Sequence, residues 1–291
     1  MNLAGELGVS TLRVSTPLLF AAMGGLFSER SGVINIALEG LMLVGAFAAA
    51  ATAAHTGSPV EGALAGAGAG ICLAAVYGFS VITLRSDQIV AGTAINMLAV
   101  GITPFLCKVF YDSTGSTPSL PMASRFEWSP MLWALIAVAG AQLVVYYTRF
   151  GLWVRFAGEH PAALDAAGVR VNRVRWAGVL ISGALAGLGG STLSVFLASS
   201  FSREMTAGRG FMALAALVFG KWRPIPAAIA CLLFGFTDAL QIRLQGVVLW
   251  GKQPVPVEFI QILPYVVTIL VLAGLVGRSR APKAIGIPFR A

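Results

Sequence analysis

Six polar side chains stand inside or beside long apolar stretches of this chain: Asn35, Glu39, Asn96, Arg209, Asp238 and Gln241. A charged or amide group at membrane depth is costly unless it faces a cavity or a partner, so each is a candidate for a polar path through a bilayer. Glu39 and Asp238 are single acids in otherwise uncharged segments. Asn35 precedes Glu39 by four residues, which in a helix puts both on one face, where their donors and acceptors suit the hydroxyls and ring edges of a small polar solute. Asn96 and Gln241 add amides on other segments. Arg209 lies in "TAGRG", Thr206 to Gly210, where a broken helix could line a cavity. The competing reading is that these groups bond one another or the backbone across helix interfaces. Arg209 could equally be an interfacial anchor, and Asp238 lies near a segment end within reach of water.

The elements that position these residues follow from composition. Hydrophobic residues make up 57% of the chain and charged residues 11%, and the mean hydropathy is +0.83, values that exclude an ordinary soluble domain. A span needs about 20 apolar residues. Gly62 to Leu84, Ile89 to Cys107, Pro130 to Thr148, Trp176 to Ala198 and Phe259 to Gly277 contain no Asp, Glu, Lys or Arg. Val33 to Ala54 is interrupted by Glu39, and Pro224 to Leu240 by Asp238. Val14 to Phe27 is short for a span unless it borrows the polar residues before it, and Phe211 to Gly220 shorter still unless it begins near Thr206. The expected fold is all-α, a polytopic transmembrane bundle of about eight to nine spans with a short or broken helix near 206–220. It forms one domain over residues 1–291. In "GALAGAGAG", Gly62, Gly66 and Gly70 repeat every four residues, as Gly183 and Gly187 do in a second "GALAG". Such spacing marks seams where helix backbones approach closely.

The first twelve residues hold Glu6, no basic residue and no compact apolar core, so the first apolar segment is expected to be retained rather than cleaved. The net charge of +8 sits in short loops and reads as orientation rather than a nucleic-acid surface. Alternating spans place most basic residues on the side of the loop 149–175, which makes that side, and the C-terminus, cytoplasmic. Trp128, Trp133, Trp222 and Trp250 fall near span ends as an interfacial belt. Cys72, Cys107 and Cys231 lie in spans as small core residues. With two histidines, His55 and His160, and no H-E-x-x-H or G-x-S-x-G pattern, catalysis has no support, and no metal site or resident cofactor is expected.

The loop 149–175 gathers five arginines in a sparsely charged chain. Pro161 suits a first helical position and Gly168 a C-terminal stop, so "PAALDAA" reads as a short helix with a small-residue surface that another protein could approach. The alternative is a topogenic anchor. "SERSG", Ser28 to Gly32, reads either as a break inside one discontinuous element or equally as a plain cytoplasmic turn with Glu29 and Arg30 solvated.

At these residues a family resemblance becomes specific. "GEHPAALDAAGVRVNRVRWAGVLISGALAGLGG" resembles the cytoplasmic coupling motif and following span of permease subunits in ABC importers of the branched-chain amino acid, ribose and nucleoside class. "GGLFSERSGVINIALEGLML", "MTAGRGFMALAALVFGKWRP" and "LPYVVTILVLAG" are similar to the nucleoside and simple-sugar branch. The likeness runs over nearly the whole chain, with little sequence before the first motif, which suggests one N-terminal span fewer than in ribose-type permeases. The resemblance implies that the loop helix docks in a groove of a cytoplasmic ATPase, with Glu159, Pro161, Ala162, Asp165 and Gly168 as coupling residues. It implies a second, homologous permease subunit, an ATPase with two nucleotide-binding modules, and an extracytoplasmic substrate-binding lipoprotein, all at a bacterial inner membrane. ATP and Mg would be used by that partner chain, since Gly220-Lys221 and Gly251-Lys252 here lack a phosphate-cradling loop. A secondary transporter using Glu39 or Asp238 for a proton or ion, and a scaffold subunit without transport, are the alternatives from other classes.

Overall fold

The computed structural model describes residues 3–113, 115–244, 262, 266 and 280–289. Among these, seven helices are long and apolar enough to cross a membrane. They are α1 (Leu3–Arg30), α2 (Leu38–Thr56), α3 (Pro59–Gly78), α4 (Gln88–Tyr111), α5 (Ser129–Tyr147), α8 (Val171–Thr192) and α10 (Pro224–Leu244). Wider turns extend α3 to Thr83 and α8 to Leu197. Three short helices complete the set: α6 (Arg149–Glu159), α7 (Pro161–Ala166) and α9 (Arg209–Phe219). The expected span Phe259 to Gly277 and the "LPYVVTILVLAG" motif lie outside the described residues, apart from Ile262 and Val266, and Trp250 lies outside them too.

One boundary agrees with the sequence reading and one differs. Val14 to Phe27 does borrow the polar residues before it and belongs to a 28-residue helix. Its early hydroxyls satisfy themselves one turn back, as Thr11, Ser15 and Thr16 donate to the carbonyls of Leu7, Thr11 and Leu12, so they enter the bundle without exposed polar groups. The segment expected to be helical from Val33 is instead a non-helical link over 31–37. Irregular backbone inside a membrane protein must find partners, and side chains supply them. Ser28 Oγ donates to the Val33 carbonyl, Gln88 accepts from the Ile34 N–H at 2.8 Å, and Tyr77 donates to the Ile34 carbonyl. Asn96 closes the far end, donating to Ile36 O and accepting from Gly40 N.

The helices meet at the glycine seams. A Cβ on Gly45 of α2 would lie 2.6 Å from Gly187 Cα of α8, and one on Gly66 of α3 would lie 2.7 Å from Gly45 O. One on Gly183 would lie 2.6 Å from Gly70 O. The backbones of α2, α3 and α8 therefore touch, and no larger residue fits without parting them. Among the described spans α8 is the most enclosed, whereas α4 and α5 are largely uncovered and turn Met97, Phe105, Leu132 and Ile136 outward, a surface whose natural complement is lipid. Cys72 corrects the expectation of a core cysteine: it is exposed on α3, while Cys107 and Cys231 are buried. Trp128 and Trp133 are exposed, as an interfacial belt requires.

Candidate functional site

A cavity of about 330 Å³ opens beside the break between α1 and α2. Its walls are Glu39, Gly40 and Leu43 of α2, Asn96 and Val100 of α4, and the loop 204–208. Glu39 stands in the first turn of α2 and reaches across to the start of α9. Its two carboxylate oxygens accept the N–H groups of Gly208 at 2.8 Å and Gly210 at 2.6 Å. These donors are among the unpaired amides at a helix N-terminus, where negative charge is also favoured by the helix dipole. The approach is so close that a Cβ on Gly210 would sit 2.5 Å from Glu39 Cα, which is why glycine follows Arg209. The short helix expected near 206–220 is thus present, and its N-terminal end faces a cavity.

Of the six polar candidates, the structure brings Glu39 and Asn96 together on the cavity wall. Arg209 is adjacent in sequence but turns its guanidinium back to the carbonyls of Met205 and Thr206, bracing the loop. Asn35 is a correction: it lies in the non-helical link, so it shares no helical face with Glu39, and its fully buried amide donates to Ser182 Oγ at 2.7 Å. Asp238 and Gln241, both half-buried on α10, are not among the cavity's lining residues, although Asp238 is within electrostatic reach of Arg209. Thr206, Ala207 and Gly208 of "TAGRG" line the cavity as a broken helix there would, and Glu204 lines it without having been singled out. Its signal was geometric: Glu204 holds left-handed backbone, φ +55°, which sequence alone does not announce.

The loop 149–175 holds more helix than the sequence reading gave it. α6 packs Val154 and Ala157 inward against Leu164, Val171 and Val174. α7 begins at Pro161 as expected, and Gly168 follows it with φ +81° and its N–H bonded to Asp165 O. Leu164 anchors α7, so Ala162, Asp165 and Gly168 are left on its exposed side. Glu159, at the α6–α7 joint, lies 3.6 Å from Arg30. Burial at "SERSG" rules out the reading in which Glu29 and Arg30 are solvated. Glu29 is 5% exposed and accepts the Trp222 indole N–H, and Trp222, expected at a membrane interface, is 6% exposed.

The bundle of spans, the half-length helix at an internal cavity and the exposed loop helix define a multi-pass membrane transport component. The chain belongs to the family described as "Branched-chain amino acid transport system / permease component", which it matches over residues 8–272. It is a permease, a transport subunit and not itself an enzyme. It is 40% identical to the guanosine ABC transporter permease protein NupQ of Bacillus subtilis, over 96% of this chain and 95% of that one. It is 37% identical to the nucleoside ABC transporter permease protein NupC of Lactococcus lactis, over 99% of both chains. A putative glucose ABC transporter permease protein of Haloferax volcanii is 32% identical over 97% of this chain and 95% of its own. No solved structure gives a significant match.

Proposed function

We propose that this chain is the permease subunit of an ATP-binding-cassette importer that carries a nucleoside across a bacterial cytoplasmic membrane. The observation that carries the reading is its 40% and 37% identity to guanosine and nucleoside permeases across nearly the whole of each chain. A second reading, a simple sugar as solute, is favoured by the 32% identity to a putative glucose permease. The two solutes share hydroxyls and differ in the base. The ion-coupled alternative gains nothing from the family, and the Glu39 carboxylate already accepts two N–H groups.

In this reading the cavity bordered by Glu39 and Asn96 is part of the solute path. Both side chains keep unused lone pairs or N–H groups toward it. Asp165 and the small exposed residues of α7 are the docking surface for a separate ATPase with two nucleotide-binding modules. That ATPase binds ATP and Mg, and this chain holds no cofactor. A second, homologous permease completes the membrane portion, and an extracytoplasmic binding lipoprotein delivers the solute. The C-terminal residues 280–289 pack on the coupling loop, which supports a C-terminus on the same side of the membrane as that loop, the cytoplasmic side in this reading.

Uptake in proteoliposomes holding all four components tests the assignment. Radiolabelled guanosine should accumulate on ATP addition and be displaced by excess unlabelled nucleosides but not by glucose. Accumulation of radiolabelled glucose in place of guanosine would select the sugar reading, and uptake driven by a proton or sodium gradient without the ATPase would refute both.

A further inference from the structure

We infer that α9 is a strut that carries movement of the coupling loop to the cavity, and that the Glu29–Trp222 hydrogen bond is its joint. The inference rests on the coupling role proposed above for α7.

Both ends of α9 are tied to carboxylates, and these two acids bracket the α1–α2 link. At the start of α9, Gly208 and Gly210 donate to Glu39. Just beyond its end, the Trp222 indole donates to Glu29 at 2.5 Å, and Glu29 also accepts the backbone N–H of Asn35. Lys221 and Trp222 reach this position through consecutive left-handed residues, φ +52° and +53°, a conformation that non-glycine residues hold only when their surroundings impose it. An α-helix of 11 residues is about 16 Å long at 1.5 Å per residue. Along that length α9 packs on α1, where a Cβ on Gly25 would lie 2.8 Å from Leu217 Cδ1.

The other side of the Glu29 turn belongs to the coupling loop. Arg30 faces Glu159, and the Gly158 backbone abuts the Arg30 carbonyl closely enough to exclude any side chain there. The C-terminal segment stitches the two together, with Ala284 N–H donating to Gly158 O at 2.8 Å and Gly286 N–H to Gly32 O at 3.1 Å. Arg175, 2% exposed, holds that segment through Ile287 O at 2.8 Å. A displacement of α7 is therefore delivered to residues 29–32, and from there the buried Trp222–Glu29 hydrogen bond engages the far end of α9. Coupling of this kind travels through contiguous packed elements. Glu29 and Trp222 are positioning residues: they touch neither solute nor ATPase and act through α9.

The test compares Trp222→Phe, Glu29→Gln and the double variant in the four-component proteoliposomes, reading nucleoside transported per ATP hydrolysed beside basal hydrolysis. Trp222→Phe removes the donor and keeps the ring. Glu29→Gln keeps an acceptor, and the double variant leaves no unpaired buried charge. Transport per ATP should fall at least fivefold in Trp222→Phe and less in Glu29→Gln, with basal hydrolysis and complex yield retained, and the double variant should be no worse than Trp222→Phe. Unchanged ratios in all three overturn the strut. Loss of assembly in all three assigns the pair to folding alone and overturns it as well. Glu159→Lys/Asp165→Lys is the control: if that variant also leaves the ratio unchanged, the coupling role itself fails, whereas a lowered ratio there with normal ratios at 29 and 222 rejects the strut alone.

Discussion

Replacing Glu39 should loosen the start of α9 by an amount the geometry sets. Its carboxylate accepts two backbone N–H groups at 2.8 and 2.6 Å, and a hydrogen bond to a charged acceptor contributes about 1.5–3 kcal/mol. Glutamine has one acceptor oxygen and turns an NH2 toward the second donor, so Glu39→Gln loses one such bond and the charge at the helix N-terminus, roughly 2–3 kcal/mol. Hydrogen exchange of the peptide spanning Thr206 to Leu214, which borders the cavity, should accelerate by roughly 30–140-fold, since 1.4 kcal/mol is a factor of ten. Glu39→Ala removes both bonds and should bring exchange there near that of a frayed end, with α3 and α8 unaffected. Unchanged protection in Glu39→Ala would refute the capping role of the carboxylate and leave the acid free for a direct part in solute binding.

Three further outcomes follow from other contacts. Gly45→Leu should part α2 from α8, costing at least 1–3 kcal/mol from overpacking, whereas Gly68→Leu on α3, with nothing within 4 Å of its Cβ, should be silent; thermal melts in detergent separate the two. Asn96→Ala leaves the Ile36 carbonyl and Gly40 N–H without side-chain partners, at roughly 1–3 kcal/mol for each buried group left unpaired; the same melts should show the loss, and Asn96→Asp, which still accepts from Gly40, should lose less. Glu159→Lys/Asp165→Lys should remain in the membrane and melt near wild type, because Asp165 is exposed and Glu159 partly so, while co-purification with the ATPase falls at least tenfold.

The spans were legible because their signal is collective: some twenty apolar residues in a row carry it, and misreading one changes little. The α7 helix was legible because Pro161 and Gly168 mark its ends with backbone constraints of their own. The link at 31–37 was not, because nothing in "SGVINIA" forbids a helix. It exists because Gln88, Tyr77 and Asn96, distant in sequence, satisfy the backbone that leaving the helix exposes. Asn35 was misplaced on the Glu39 face for that reason. Glu29 illustrates the same limit: beside Arg30 in a polar turn it reads as solvated, and only the arrival of Trp222, nearly two hundred positions later, buries it. Glu39 and Asn96 were found by the cost of polar groups in lipid, a rule that identifies such residues without saying whether solute or backbone satisfies them.

The seam between α3 and α8 also sets an order of events during synthesis. Gly66 and Gly70 leave the ribosome with their backbones bare on one side, and the surface that fills that groove, Gly183 and Gly187, is translated only after α4 to α7. At about 5–20 residues per second the wait is on the order of ten seconds. During that interval α3 is held by α2 alone, through Gly62 and Gly66, and the part of its groove around Gly70 waits uncovered in the bilayer until α8 arrives.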